Sequence, residues 1–307
     1  MDYSADILTR PIRTRLDKRL RLDQPALSWA RLRSAIERGQ VTVNGTIERD
    51  PGADVLSTAA VVLDVNRPAV RPARSRFGRL YEDEHIIVID KPAGLLTIPV
   101  DKEGGADQDT VLSRVREYMD RRRGAGGYVG TLHRLDRDTS GSLALALSRE
   151  AHELGRAQFG RHEFHRQYMA LVEGVPSPAI GTIDAAIAEG YTAGRRRLAG
   201  PGETGIPAVT HYVVRQAYAT GAAFVELTLD TGRQHQIRLH LQHIGHPVLG
   251  DRVYGSPTGA DAAARQMLHA WTLAFPHPIT GTRVAVEAPA PDDFTRMRAR
   301  LMGWAGR

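Results

Sequence analysis

At 307 residues the chain is long enough for two domains, or for one domain with an appended module. Its apolar fraction of 42% supplies a sizeable core, and the lack of any cysteine excludes disulfides and thiolate chemistry. No run of about 18 apolar residues offers a membrane span, while a net charge of +6 and a pI of about 9.8 favour an anionic partner, nucleic acid or an acidic surface.

Met1 to Thr14 lacks the apolar centre of a signal peptide, so the expected setting is the cytoplasm. Residues 1–65 read as one compact module. Ile12, Leu16 and Leu20 recur at helical spacing. Ser28 suits an N-cap, and Trp29, Leu32 and Ile36 share one face of the helix it begins, with Arg31, Arg33 and Arg38 elsewhere. Gly39 ends that helix. Val41-Thr42-Val43 then alternates into Asn44-Gly45, the strongest short hairpin signal, and Val61 to Leu63 suits a further strand. Residues 66–79 carry Arg67, Arg71, Arg74, Arg76 and Arg79 with Pro68 and Pro72, the composition of an extended basic linker.

Residues 80–307 form a larger unit. Ile86 to Ile89 is a buried strand ended by Lys91-Pro92. Val111, Leu112, Val115 and Met119 mark an amphipathic helix after Thr110. Leu143–Leu147 and Phe224–Leu229 read as strands and Ala151–Phe159 as a helix; Phe164, Arg166, Tyr168 and Ala170 fall on one strand face. Strands that do not alternate regularly with helices argue for α+β rather than a doubly wound sheet.

Three segments carry chemistry. Asp90-Lys91-Pro92-Ala93-Gly94-Leu95-Leu96 is a strand end followed by a tight turn, which alone requires no function. His133-Arg134-Leu135-Asp136-Arg137-Asp138-Thr139-Ser140-Gly141 packs two carboxylates, two arginines and two hydroxyls into nine residues. A surface turn held by local ion pairs is one reading of it. A glycosidase pair is disfavoured, because such carboxylates stand about 5 to 9.5 Å apart across a sugar, not two residues apart on one chain. The third segment, Thr231-Gly232-Arg233-Gln234-His235-Gln236-Ile237-Arg238-Leu239-His240, continues to Ile244-Gly245-His246-Pro247-Val248-Leu249-Gly250-Asp251. Its histidines at 235, 240, 243 and 246 lack metal-ligand spacing. A helix from about His235 to Ile244, capped by Gly245, accounts for Ile237, Leu241 and Ile244.

Together, in this order, the three segments resemble the RluA family of RNA pseudouridine synthases. The resemblance runs from Leu80 to near Phe294 and rests on "D-K-P-A-G-L-L", "H-R-L-D-x-x-T-S-G" and "T-G-R-x-H-Q-I-R-x-H", with Tyr254-Gly255, Leu268-His269-Ala270 and "F-P-H-P" in support. Residues 13 to 65 resemble the S4-like RNA-binding domain, the arrangement of the family's large-subunit ribosomal RNA enzymes. The resemblance implies a catalytic domain with a mixed, mainly antiparallel sheet, preceded by a small S4-like α/β domain. It implies uridine-to-pseudouridine isomerisation in structured RNA, most simply 23S ribosomal RNA, by a cytoplasmic monomer with neither metal nor organic cofactor. Asp136 matches the catalytic aspartate, as nucleophile or as base toward the sugar, Arg238 its arginine partner, and Tyr168 the tyrosine against the target base. Arg134 matches the arginine that holds the flipped nucleotide. His133, Arg233 and, on the N-terminal module, Arg31 and Arg33 are assigned to the RNA. One departure is visible: Arg166 stands where the family usually has lysine, with its charge kept.

Overall fold

The computed structural model describes residues 13–67, 77–99, 109–192 and 195–303. They form two compact units, a small one over 13–67 and a larger one that begins at Phe77.

The small unit runs β1 (Arg13–Arg15), α1 (Leu16–Asp23), α2 (Trp29–Glu37), β2 (Val41–Val43), β3 (Thr46–Ile47), β4 (Asp54–Leu56) and β5 (Val61–Leu63). Leu16 and Leu20 of α1 close on Leu32, Ala35 and Ile36 of α2 and on Val41 and Val55, a core that belongs to this unit alone. Ser28 caps α2, its hydroxyl accepting the Arg31 amide at 3.3 Å. Asn44 and Gly45 both take positive φ, 51° and 82°, the turn whose twist matches a hairpin. That turn joins β2 to β3, and β5 pairs on the other edge of β2. Trp29, at the start of the face that carries Leu32 and Ile36, is 42% exposed, and the Arg33 guanidinium one turn later stacks 5.7 Å from its ring. Ile12 and the basic stretch 68–76 lie outside the described residues. Gly78 and Arg79, placed in the linker from sequence, lie in a strand.

The larger unit opens with β6 (Gly78–Glu82), β7 (Ile86–Lys91), α3 (Val111–Arg123), β8 (Gly130–Thr131), β9 (Ser140–Ala146), α4 (Arg149–Gly160) and β10 (His165–Val172). β11 (Ile180–Asp184), β12 (Ile187–Ala188), β13 (Gly205–Ile206), β14 (Val209–Ala217) and β15 (Ala223–Leu229) follow. The chain ends with α5 (Gln236–His243), α6 (Pro257–Asp261), β16 (Leu268–Pro276), β17 (Arg283–Glu287) and α7 (Asp292–Leu301). Among the described residues ten strands share one sheet, in the order β11-β14-β15-β10-β16-β9-β7-β6, with β17 beside β16 and β8 beside β9. Only the β9–β16 pairing is parallel, so the architecture is the mainly antiparallel α+β expected.

The unbroken apolar run of β7 has a direct cause, because both faces of the sheet are covered there. Ile87 and Ile89 pack with Val111, Val115 and Met119 of α3, whereas Ile86 and Val88 pack with Leu132, Ala151 and Phe164 on the opposite side. Thr110 starts α3 through a reciprocal capping box with Ser113. At the parallel pairing Gly141 (φ 112°) faces Ala270, and a Cβ there would strike the Ala270 carbonyl. Glycine therefore lets the two central strands meet just beyond the Asp136 loop. β10 carries a bulge against β16 between Gln167 and Tyr168, beside the cavity described next.

Candidate active site

Asp136 sits in a loop between β8 and β9, and the backbone around it is fastened from several directions. Thr97 Oγ1 donates to the Leu135 carbonyl at 2.8 Å and accepts the Leu135 amide at 3.1 Å. The Thr139 amide turns back onto the Asp136 carbonyl at 3.2 Å. Lys91, fully buried at the end of β7, donates from Nζ to the carbonyls of Pro92, Leu95 and Arg137 at 3.0, 2.7 and 2.8 Å. Burial pushes this ammonium down to about 7, against the pull of Asp138 and Asp136. Gln266 reaches Thr139 Oγ1 at 2.8 Å, and Arg265 the Asp138 carbonyl at 3.0 Å. So the tight turn of the first segment, bland when read alone, supports the carboxylate of the second.

The third segment brings the cation. Thr231 and the Arg233 amide both donate to Gln236 Oε1, whose amide nitrogen donates to the Val209 carbonyl and to Thr210 Oγ1. That network fixes the turn into α5. His235, at its N-cap, adopts left-handed φ of 60°. One turn on, Arg238 Nη1 donates to Asp136 Oδ2 at 3.1 Å. Its Nε and Nη2 make a bidentate pair with Asp251 at 2.6 and 2.7 Å. Asp251 Oδ1 also accepts the amides of Val253 and Tyr254, and the Tyr254 ring lies 4.8 Å from the guanidinium. Burial works against the charge on Arg238, but its bonds to Asp251 and the charges of Asp251 and Asp136 outweigh it and raise its pKa. Burial likewise opposes the charge on Asp251, and the bonds from Arg238 and the two amides lower its pKa on balance. Asp251 was quoted from sequence without a role. A lone Gly-Asp in a loop has no periodicity to announce it, and only its place after the third segment was a signal.

Asp136 and Arg238, bonded to each other, both line a cavity of about 450 Å³. Tyr168, His133, Arg134 and Arg233 line the same cavity, while Asp138 is not on its wall. Burial raises the Tyr168 pKa against the pull of the Arg166 charge, with the Asp136 charge adding to the rise, so the phenol stays protonated at neutral pH. His133 is pushed down to about 3 by burial and by the Arg166 charge; its Nε2 accepts the Ala144 amide at 3.1 Å. It is a neutral wall group stacked against Phe159. His235 Nε2 stands 3.9 Å from Asp136 Oδ2, and its Nδ1 bonds Tyr254 Oη at 2.8 Å. Burial lowers its pKa more than Asp136 raises it. The remaining histidines of the segment hold structure: His240 bonds Thr210 and the Ala185 carbonyl, and His246 the Glu173 carbonyl. Among the described residues no three His, Cys, Asp or Glu side chains are grouped to hold a metal. Arg31 and Arg33 lie on α2 of the small unit, where Arg33 shares buried Asp17 with Arg15.

Residues 85–243 match the family model described as RNA pseudouridylate synthase. The chain is 38% identical over 293 residues to ribosomal large subunit pseudouridine synthase D of Xylella fastidiosa, covering 90% of this chain and 86% of that one. It is 40% identical over 212 residues to the dual-specificity RNA pseudouridine synthase RluA of Escherichia coli, covering 69% and 92%. Human RNA pseudouridylate synthase domain containing 1 superposes with a TM-score of 0.57 at 28% identity, over 70% of this chain and 84% of that one. With the second and third sequence segments lining one cavity, the first bracing the Asp136 loop, and relatives of this extent, the chain belongs to the RluA family of RNA pseudouridine synthases.

Proposed function

We propose that this enzyme isomerises uridine in large-subunit ribosomal RNA, with Asp136 as the reactive carboxylate. The reaction breaks the bond from N1 of uracil to the sugar, turns the base and joins C5 to the same sugar carbon; C5 then loses its proton and N1 gains one, so the overall change is an isomerisation. A carboxylate acting at the sugar, as nucleophile or as base, must be ionised and must keep an oxygen free. The observation that carries the reading is the bond from buried Arg238 to Asp136 Oδ2 at the cavity wall, with Oδ1 unclaimed by any described residue. Tyr168, protonated and on the wall, offers the base a flat face and a hydroxyl. Arg134 and Arg233, exposed at the same cavity, suit contact with the extruded nucleotide. What supports ribosomal RNA as the target is the named activity of the synthase D relatives over most of this chain. Residues 1–65 then act as an S4-like targeting module, joined by the basic stretch 66–76, with Arg31 and Arg33 facing RNA.

The test is chemical mapping of pseudouridine in unmodified large-subunit ribosomal RNA incubated with the pure protein. Wild type should produce pseudouridine, and Asp136→Asn should produce none while still binding the RNA. Turnover by Asp136→Asn would move the role to another carboxylate, Asp138 first.

A further inference from the structure

We propose that the cavity wall built by α4 and the start of β10 is a phosphate-binding cleft, in which Arg166 takes a phosphodiester of the target nucleotide and Arg156 a neighbouring one. The inference rests on the reading of this cavity as an RNA site.

Arg166 is 4% exposed and lines the cavity, yet no carboxylate pairs with it among the described residues, and its Nε has no hydrogen-bond partner. A guanidinium is costly to bury unless an anion or several acceptors meet it. The Phe159 ring, 4.8 Å away, covers one face of the group but cannot answer the N–H edge. Nor is the placement an accident of loose packing. Nη1 lies against Gly232, where any Cβ would overlap it, so the chain leaves room for the guanidinium at this wall.

Burial lowers the Arg166 pKa on balance; Tyr168 and Asp230 pull the other way without bonding to the group, and the Arg233 charge lowers it further. Arg233 spends its Nε on the Pro207 carbonyl, and Arg156 projects exposed from α4 onto the same cavity. The one carboxylate on the whole lining is Asp136, already bonded by Arg238. His133, uncharged, cannot contribute a cation at neutral pH. A cavity so built is completed by a polyanion, and the planar fork of Arg166 suits two oxygens of one phosphate. Arg166 and Tyr168 stand on the same strand, so phosphate and base would be gripped from one rigid element.

The decisive variants are Arg166→Met, Arg166→Lys and Arg156→Gln, studied by equilibrium binding to unmodified large-subunit ribosomal RNA over a range of KCl. Arg166→Met removes a charge that has no partner in the free protein. It should melt at or above the wild-type temperature while binding RNA roughly 5- to 10-fold more weakly at 0.1 M salt. The slope of log K against log salt should fall by about 0.7 to 0.9 in Arg166→Met and again in Arg156→Gln, one phosphate each. Arg166→Lys should keep the wild-type slope. If Arg166→Met lowers the melting temperature and leaves affinity and slope intact, Arg166 is a packing residue and the cleft does not exist. Pseudouridine formation in the same RNA separates the two readings. Wild type that binds with the expected slopes but makes no pseudouridine overturns the activity and leaves the cleft standing.

Discussion

Arg238 divides its guanidinium between two carboxylates unequally, with two bonds to Asp251 and one to Asp136. Asp251 is the fully buried partner and sets where the arginine points, which leaves the single Nη1 contact to orient the carboxylate in the cavity. Removing one partner of such a pair strands the other charge, so Asp251→Asn should cost roughly 3 kcal/mol of stability. It should also lower turnover by 10- to 100-fold with RNA affinity little changed, because the arginine is released from its aim rather than from the substrate. Calorimetric unfolding together with single-turnover assays would check both. Retained turnover in a destabilised protein would make Asp251 a purely structural anchor. The contrast with Asp136→Asn is instructive. Asp136 makes one partly buried contact and Arg238 keeps its Asp251 pair without it, so loss of the Asp136 charge should abolish chemistry while costing less stability than loss of Asp251.

At the scale of elements, the loop from Leu132 to Thr139 is the part that must hold still, and His133 ties it to β9 through the Ala144 amide. Its folded pKa of about 3 lies below the unfolded value of about 6.5. Above pH 6.5 the ring is neutral in both states and its contribution is complete; as pH falls from 6.5 toward 3 the unfolded chain takes up the proton first and stability is lost. At about 1.4 kcal/mol per pH unit the loss approaches roughly 5 kcal/mol. His133→Gln, which keeps an acceptor but does not titrate, should flatten the acid limb of a stability profile between pH 6.5 and 4. An unchanged limb would assign it to other groups. Elements set by neighbouring residues were legible from sequence: the Asn44-Gly45 hairpin, α2 behind Ser28 and α3 behind Thr110. The sheet order was not, because β9 meets β16 across a separation of 129 residues between Ser140 and His269, and nothing local encodes that pairing. The same holds for the site. Asp136 and Arg238, 102 residues apart, were paired through a family resemblance, whereas Asp251 and the orphaned Arg166 emerged only from contacts and burial.

For the whole molecule, each unit has its own core, so the larger one should fold without the smaller. A chain lacking residues 1–65 should lose affinity for long ribosomal RNA, with a shallower salt dependence, and lose less activity on a short stem-loop. Equal performance on both would remove the targeting role from the N-terminal module. The cations themselves are unevenly chosen: of 41 lysines and arginines, three are lysines, at 18, 91 and 102. The buried one receives three carbonyls, which a compact ammonium with three rotatable donors can satisfy and a planar fork cannot. A primary amine sealed beneath the Asp136 loop is also a reporter. Pulsed with an amine-acylating reagent at pH 8, native protein should react rapidly at exposed Lys18 and slowly at Lys91. Opening the loop solvates the amine and lifts the burial that lowers its pKa, so Lys91 then reacts as an exposed lysine does, and its acylation rate relative to Lys18 reads the opening frequency of the Asp136 loop without any label being introduced.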